Sequence, residues 1–310
     1  MRWNLLLPVA VISIGTGLTT RTTAHNWTEH DASRSRQLRQ FAAGTAPIDV
    51  ALAARSIQPG ELVVLTLTAR TDADRPRVAA FGRPVGVVAI GPREWRALVG
   101  IDLDVAPGNH PVLITIRVAD QDLSRTYELA VKPRRFATRR LEVGDAFVNP
   151  PAGELVRIER ETVELERLWH ASADGALWTG PFAAPVADRA TSSFGTRSIF
   201  NGERRSPHSG TDFLSPAGTP IRAPNAGRVV FSGDLYFSGN TLVIDHGLGV
   251  VSLFAHLSAF AVHEGDVVSK GQLVGNVGAT GRVTGPHLHW AVRVNGARVD
   301  PLAVLAVLGK

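Results

Sequence analysis

The chain has 310 residues, of which 44% are hydrophobic and 20% are charged, and this composition is that of a globular protein with room for two domains. It contains no cysteine, which excludes disulfides, thiolate metal sites and cysteine nucleophiles. Its net charge of +5 suits an anionic partner, but no dense Lys/Arg tract with interleaved aromatic residues is present, so we expect no nucleic-acid partner.

The N-terminus has the composition of a secretory signal peptide. Arg2 precedes an apolar run over 5–18, and the small-residue stretch 22-TTA-24 follows it. The run is shorter than the roughly 20 residues that a comfortable membrane span needs. The pattern predicts a signal peptide over 1–24, with an uncleaved anchor as the alternative, and therefore an exported protein, periplasmic or extracellular.

The next part of the chain is predicted to form β-structure. Short runs rich in β-branched residues occur at 61-ELVVLTLTAR-70, 111-PVLITIRVAD-120 and 125-RTYELAVKP-133, and Pro-Gly pairs precede the first two. Short strands bounded by such turns are typical of an all-β sandwich. We place a β-sandwich-like accessory domain at 46–135 and expect no catalytic residue in it.

A helix is predicted between the two β-rich parts of the chain. The segment 154-ELVRIERETVELERLWH-170 has Leu155, Ile158, Leu165 and Leu168 at helical spacing, with charged residues between them. This spacing predicts an amphipathic helix. We expect a helical connector over 150–172 that packs on one or both domains, with a partner-binding helix as the alternative.

Short strands and many glycines return in the last third of the chain. Strands are expected within 226–233, 240–247, 249–257, 266–278 and 287–294. Their connections are too short for helical crossovers, and no long helical pattern is present, so we predict an antiparallel sheet. This second domain is placed at 186–304, and the whole chain belongs to the all-β class.

The histidines are concentrated in this second domain. Six of the ten lie after residue 200, at positions 208, 246, 256, 263, 287 and 289. Asp212 follows His208 by four residues, with Gly210 between them, and His287 and His289 share one face of an expected strand. A zinc enzyme site has three protein ligands and one open position. His-x-x-x-Asp alone also fits ordinary turn chemistry, but its combination with His-x-His predicts a metal site.

This segment resembles the M23 family of zinc metallopeptidases, the lysostaphin-type or LytM-like endopeptidases. The resemblance extends over about 191–302. The stretches that carry it are 194-FGTR-197, 208-HSGTD-212, 216-PAGTPIRAPNAGRVVFSG-233, 240-NTLVIDHG-247, 254-FAHLS-258, 265-GDVVSKGQLVG-275 and 278-GATGRVTGPHLHW-290.

The resemblance implies roles for five residues. The zinc ligands would be His208, Asp212 and His289, with one zinc ion in the domain, and the catalytic residues would be His256 and His287. It also implies an exported zinc metalloendopeptidase that hydrolyses the peptide cross-links of peptidoglycan, with the peptide stems as its partner. A zinc-activated water would attack, and the two histidines would act as general base and oxyanion stabiliser. The sequence does not indicate which histidine is the base.

Two other functions fit the same residues. One is a non-catalytic cell-wall-binding or amidase-activating module on the same fold, against which the complete set of five residues argues. The other is a protease that acts on exported proteins. Of the remaining histidines, His246 is predicted to be structural and His263 to lie in an exposed turn, and Arg282 is a candidate for contact with a substrate carboxylate.

Overall fold

The computed structural model describes residues 39–40, 47–142, 149–191 and 194–309. The predicted signal peptide over 1–24 lies outside these residues. None of the described helices is long and apolar enough to cross a membrane. The described part of the chain is built mainly of antiparallel sheets, so the prediction of an all-β protein is confirmed.

The N-terminal part is a two-sheet β-sandwich. Its strands are β1 (Arg39–Gln40), β2 (Ile48–Ala54), β3 (Leu62–Ala69), β4 (Arg77–Ala80), β5 (Arg83–Val85), β6 (Val87–Gly91), β7 (Glu94–Gly100), β8 (Gly108–Val118) and β9 (Gln121–Val131). In the described residues one sheet has the order β2-β3-β7-β6 and the other β1-β9-β8-β4-β5. Alternate residues of β8, namely Val112, Ile114 and Ile116, point into the core between the sheets, as the two-residue period of a strand requires.

A short strand and a helix follow the sandwich. They are β10 (Thr138–Leu141) and α1 (Leu155–His170), the latter preceded by a single 3₁₀ turn at Ala152–Glu154. Leu168 and Trp169 of α1 are buried against one face of the C-terminal sheet. At the other end of the helix, Arg157 pairs with Glu161 within the helix and with Asp234 of the C-terminal sheet, and the second pair joins the helix to the sheet.

The C-terminal part is dominated by one large antiparallel sheet. Its elements are β11 (Ala190–Thr191), β12 (Arg197–Phe200), β13 (Glu203–Arg204), β14 (Gly210–Phe213), β15 (Pro220–Arg222), β16 (Gly227–Leu235), β17 (Gly239–Gly247), β18 (Val250–Ala255), β19 (Leu257–Phe260), β20 (Val267–Val268), β21 (Leu273–Val277), β22 (Leu288–Val294), β23 (Ala297–Val299) and α2 (Pro301–Leu308). The order in the large sheet is β11-β14-β22-β18-β17-β16-β20, with β23 paired to β22. Smaller sheets, β15-β21-β19 and β10-β12-β13, flank it in the described residues.

Two features of the C-terminal part differ from what the sequence predicted. The helix α2 was not predicted, because its sequence 301-PLAVLAVL-308 is apolar on every side and has no amphipathic period. Strand β10 pairs with β12 in parallel, whereas only antiparallel pairing was predicted for the C-terminal domain. This pairing joins residues such as Arg139 and Ser198, which are 59 positions apart in sequence, and short-range patterns contain no information on it.

One sheet of the sandwich contributes to two cores. In β3, Val63 and Leu65 face the sandwich interior, whereas Leu62 and Val64 are buried with residues of the C-terminal sheet. In β7 the alternation is the same, and Leu98 belongs to the second core. A strand that is buried on both faces is expected to be a continuous apolar run, as 62-LVVL-65 is. The described residues therefore pack as one compact unit.

Candidate metal centre and the histidines beside it

Three of the predicted site residues meet where β14 lies against β22. Asp212 stands directly opposite His289 in this antiparallel pair, and His208 lies just before β14. The Asp212 Oδ1 atom is 3.1 Å from His208 Nε2 and 3.0 Å from His289 Nδ1. The two ring nitrogens are 2.9 Å apart. The fold therefore brings one oxygen and two nitrogen donors together.

This donor set fits a zinc ion. Zinc bound at about 2.1 Å in a tetrahedral site has ligand atoms roughly 3.4 Å apart, and the three separations here are close to that value. The three ligand atoms all lie within 4.8 Å of one another. Two imidazoles and one carboxylate, with no thiolate available, form a set that zinc accepts with a fourth position left open.

Gly210 makes room for one of these imidazoles. A Cβ atom at this position would lie 2.7 Å from the ring of His289 and 2.6 Å from the carbonyl oxygen of Trp290. The Trp290 neighbour cannot move aside, because this residue is fully buried and its carbonyl is part of the backbone. The glycine in His-Ser-Gly-Thr-Asp is thus needed for close approach to the opposite strand.

The carboxylate is held in its charged form. Burial alone would raise the pKa of Asp212, but hydrogen bonds from His208 and His289 outweigh it and hold that pKa well below its usual range. Burial lowers the pKa of His289, against the opposing effect of its bond to Asp212. Both shifts favour the protonation states that metal binding requires, a charged carboxylate and a neutral imidazole.

His256 lies beside this cluster in a constrained conformation. It directly follows β18, has a φ of 67°, and its ring centroid is 6.1 Å from that of His289. Its backbone N–H donates to Ser238 O at 2.9 Å, which helps to hold a conformation that is unfavourable for a residue with a Cβ. The His256 Nδ1–H group donates to Thr280 O at 2.9 Å, and this bond leaves the lone pair on Nε2. Burial lowers the pKa of His256 to about 4, so the ring is neutral at pH 7.

His287 lies next to His256. Its ring centroid is 4.8 Å from that of His256, and its backbone pairs with Gly278 just before β22 begins. The Nδ1–H group donates to Gly285 O at 2.9 Å, so in the neutral ring Nε2 is the acceptor. The side chain is only half-buried. Both of these histidines therefore have their tautomer fixed by a backbone carbonyl, and both present Nε2 as a hydrogen-bond acceptor.

The residues that fix these tautomers were not predicted from the sequence. Thr280 acts through its carbonyl oxygen, while its hydroxyl accepts from Asn240 N at 2.9 Å and donates to Leu257 O at 2.9 Å. Backbone groups carry no side-chain signal. The available indication was the glycine-rich stretch 278-GATG-281, where Gly281 packs against the backbone of Gly239 so closely that neither position has space for a Cβ.

The other residues named from the sequence are not among the three ligand donors. His246 is fully buried; its Nδ1–H donates to Ala226 O, and its Nε2 lies 3.0 Å from Ser252 Oγ. His263 is at the surface, with a side chain that is 92% exposed. The Arg282 guanidinium lies 4.3 Å from the centre of the Phe237 ring, on the loop that leads to His287.

Sequence comparison matches part of the C-terminal half of the chain to a known family. Residues 206–301 match the profile of peptidase family M23. The DD-carboxypeptidase/endopeptidase Mpg of Neisseria meningitidis is 48% identical over 97 residues, which are 31% of this chain and 22% of that protein. The peptidoglycan DD-endopeptidase ShyA of Vibrio cholerae is 42% identical over 115 residues, which are 37% of this chain and 27% of that protein. The chain thus spans about a quarter of the length of these relatives.

Structural comparison extends the similarity over most of the chain. A crystal structure from Pseudomonas aeruginosa, assigned to peptidase M23, aligns with a TM-score of 0.64 and 36% identity. The alignment covers 81% of this chain and 96% of that one, so it includes the sandwich as well as the site. On this similarity across nearly the whole of a related structure, together with the profile match around His208, Asp212 and His289, the chain belongs to peptidase family M23.

Proposed function

We propose that this protein is an exported zinc metalloendopeptidase that hydrolyses peptide cross-links of peptidoglycan. The observation that carries the proposal is the arrangement of three ligand atoms within 4.8 Å of one another, next to two histidines that each present Nε2 as a hydrogen-bond acceptor. In this proposal residues 186–304 perform the chemistry, 46–135 form an accessory domain and 150–172 connect them.

His208, Asp212 and His289 are proposed to hold one zinc ion. When bound there, zinc supplies Lewis-acid polarisation of a peptide carbonyl and lowers the pKa of a water molecule to near neutrality. The role of the chain is to present the three ligand atoms together. The register that places Asp212 opposite His289 does most of this, because both side chains project from rigid, paired strands.

His256 and His287 are proposed to handle the proton of the attacking water. Each Nδ1–H is bound to a carbonyl, so each ring offers Nε2 as a hydrogen-bond acceptor. His256 is the more deeply buried of the two, and in its neutral form it orients the water by accepting a hydrogen bond. His287 is half-buried at the open side, where it takes the proton and returns it to the departing amine.

The substrate is proposed from the chemistry of the relatives. Both matched proteins are named as endopeptidases, and one is named for peptidoglycan. Peptidoglycan lies outside the cytoplasmic membrane, which agrees with the signal peptide predicted over 1–24. The net charge of +5 also suits an anionic wall. The proposed partners are therefore the peptide stems of the wall.

Digestion of purified peptidoglycan, with zinc quantified in the same sample, tests the proposal. The mature protein is compared with His208→Ala, His287→Ala and, as a matched control, His263→Ala, whose side chain is exposed. We expect cut cross-links from the wild type and the control. Both other variants should lose activity by at least about a hundredfold. Only His208→Ala should also lose zinc.

The remaining outcomes separate the alternative functions. Bound zinc and tight wall binding without any cleavage would contradict the enzyme proposal and favour the wall-binding or amidase-activating module. Cleavage of unfolded exported proteins, but not of peptidoglycan, would support the protease with a protein substrate. Cleavage that survives His208→Ala would refute the proposed metal centre.

A further inference from the structure

A cavity lies at the far end of β22 from the candidate metal centre. Its volume is about 490 Å³, and its walls come from the sandwich, from α1 and from the β22–β23 hairpin. None of the five proposed site residues lines it. Arg293 in its wall is four residues beyond His289 on the same strand, which corresponds to roughly 13 Å. The cavity is thus separate from the candidate metal centre.

Arg293 lines this cavity without a hydrogen-bond acceptor among the described residues. Its guanidinium lies 5.1 Å from the centre of the Trp169 ring, beneath α1, and no hydrogen bond or ion pair joins it to another described residue. Burial lowers the pKa of Arg293 to about 10. A partly buried guanidinium without an acceptor is costly, and an acceptor supplied by a ligand would remove that cost.

Two more nitrogen groups point to the same space around Gly296. A Cβ on that glycine would lie 2.9 Å from His170 Nε2 and 3.1 Å from Arg83 Nη1, so both atoms stand close to its Cα. His170 Nδ1–H donates to Glu166 O at 2.8 Å, which leaves Nε2 for the cavity. Arg83, like Arg293, donates no hydrogen bond to any residue that the structure describes.

Two of the three acidic residues that line the cavity are hydrogen-bonded to Arg298. Arg298 bonds Asp102 through Nε at 3.0 Å and Asp104 through Nη2 at 2.6 Å. Glu166 lies exposed at the edge. Three arginines and three carboxylates line the cavity in all, so its net charge is zero when His170 is neutral. Such a site accepts a monoanion at the unpaired arginines more readily than a dianion.

We propose that this cavity binds a monocarboxylate with an apolar body, of the size of a short peptide end. The carboxylate would lie between Arg83 and Arg293, whose planar guanidinium groups match its two oxygens. The apolar body would contact Phe81 and Val85, which line the sandwich side. The volume is within the range of about 300–1,000 Å³ that is usual for small-ligand sites.

Calorimetric titration of the full mature protein tests this binding site without any activity assay. The probes are N-acetyl-alanyl-alanine, its C-terminal amide and inorganic phosphate. We expect the free acid to bind, and the amide and phosphate to bind at least tenfold more weakly. Arg83→Gln and Arg293→Gln should each weaken binding of the acid at least tenfold. Arg96→Gln, an exposed arginine on β7 outside the cavity, is the matched control and should bind as the wild type does.

Other results would overturn the proposal. Equal binding of acid and amide would show that the carboxylate is not recognised, and tighter binding of phosphate would assign a different anion. Binding that disappears in His208→Ala, yet persists in Arg83→Gln, would place the probe at the candidate metal centre. Arg83 is exposed, so its variant should fold even if Arg293→Gln does not. Failure of peptidoglycan cleavage would not affect any of these results.

Discussion

Asp300 connects the sandwich to the C-terminal sheet, and its replacement gives the most quantitative test of the fold. The residue is completely buried where β23 passes into α2. Its Oδ2 accepts from Arg55 Nη2 at 2.7 Å and lies 3.5 Å from Arg134 Nη2, both on the sandwich side. Its Oδ1 caps α2 by accepting from Leu302 N at 3.0 Å. Glu61, also buried, bonds the same two arginines.

The variant Asp300→Asn separates the charge of this residue from its capping role. Asparagine is also a good N-cap, so α2 should keep its first turn. The change leaves two arginines with Glu61 as their remaining carboxylate. Breaking a buried ion pair costs about 3–5 kcal/mol when a charge is left alone, and the surviving pairs with Glu61 reduce this to roughly 2–3 kcal/mol. Asp300→Ala should lose about 1 kcal/mol more, because the cap is also removed.

Urea unfolding followed by circular dichroism measures these differences. The matched control is Asp49→Asn, which removes a carboxylate from an exposed pair with Arg70 and should leave the unfolding midpoint unchanged. If Asp300→Asn stays within about 0.5 kcal/mol of the wild type, the network does not stabilise the junction. If Asp300→Asn and Asp300→Ala are equally unstable, the capping role assigned to the carboxylate is wrong.

Three further outcomes are expected. Gly210→Ala should weaken zinc binding at least tenfold, because the added Cβ displaces the ring of His289. Gly153→Ala, which has open space around it, should leave zinc affinity unchanged. Competition with a chelator measures both affinities, and equal values would show that Gly210 is not needed for close approach. Burial lowers the pKa of His246 to about 4. Between pH 4 and 6.5 the unfolded chain therefore binds more protons than the folded one, and the free energy of unfolding should fall on the order of 3 kcal/mol as pH drops from 6.5 to 4. In metal-free His246→Gln this slope should be smaller, and an unchanged slope would point to other groups. The fragment 186–310 should unfold at lower urea than the full chain, because it lacks the sandwich side chains that share its core; equal midpoints would contradict the shared core.

The candidate metal centre was predictable because its determinants are local. Two histidines separated by one residue lie on the same side of a strand, and a glycine before Asp212 allows close strand approach. Once β14 and β22 pair, His289 can only face Asp212 or point away from it. The short spacings therefore indicated His208, Asp212 and the His287/His289 pair as candidates, whereas the choice of His289 as the third ligand came from the family resemblance. The pairing partner of either strand has no such local signal.

What was not predictable depends on backbone groups or on long-range contacts. The carbonyls of Thr280 and Gly285 select the tautomers of the flanking histidines, and no side-chain pattern indicates a carbonyl. The network around Asp300 joins residues 245 positions apart in sequence. One missed element did leave a signal: Asp300 followed by Pro301 is a helix-start pair, with an acidic N-cap before a proline at the first helical position.

Strand β22 connects the candidate metal centre, the hydrophobic core and the arginine-lined cavity. It carries His289 near its start, buries Trp290 in the core, and reaches the arginine-lined cavity with Arg293 near its end. One of its faces is covered by Trp169 of α1, and the other packs in the core that Leu98 of the sandwich completes. Covering both faces fixes the register of the strand against β14, and the geometry of the proposed ligands depends on that register. The sandwich and the helix therefore support the proposed chemistry by holding the strand that bears His289, although neither supplies any of the three proposed ligand atoms.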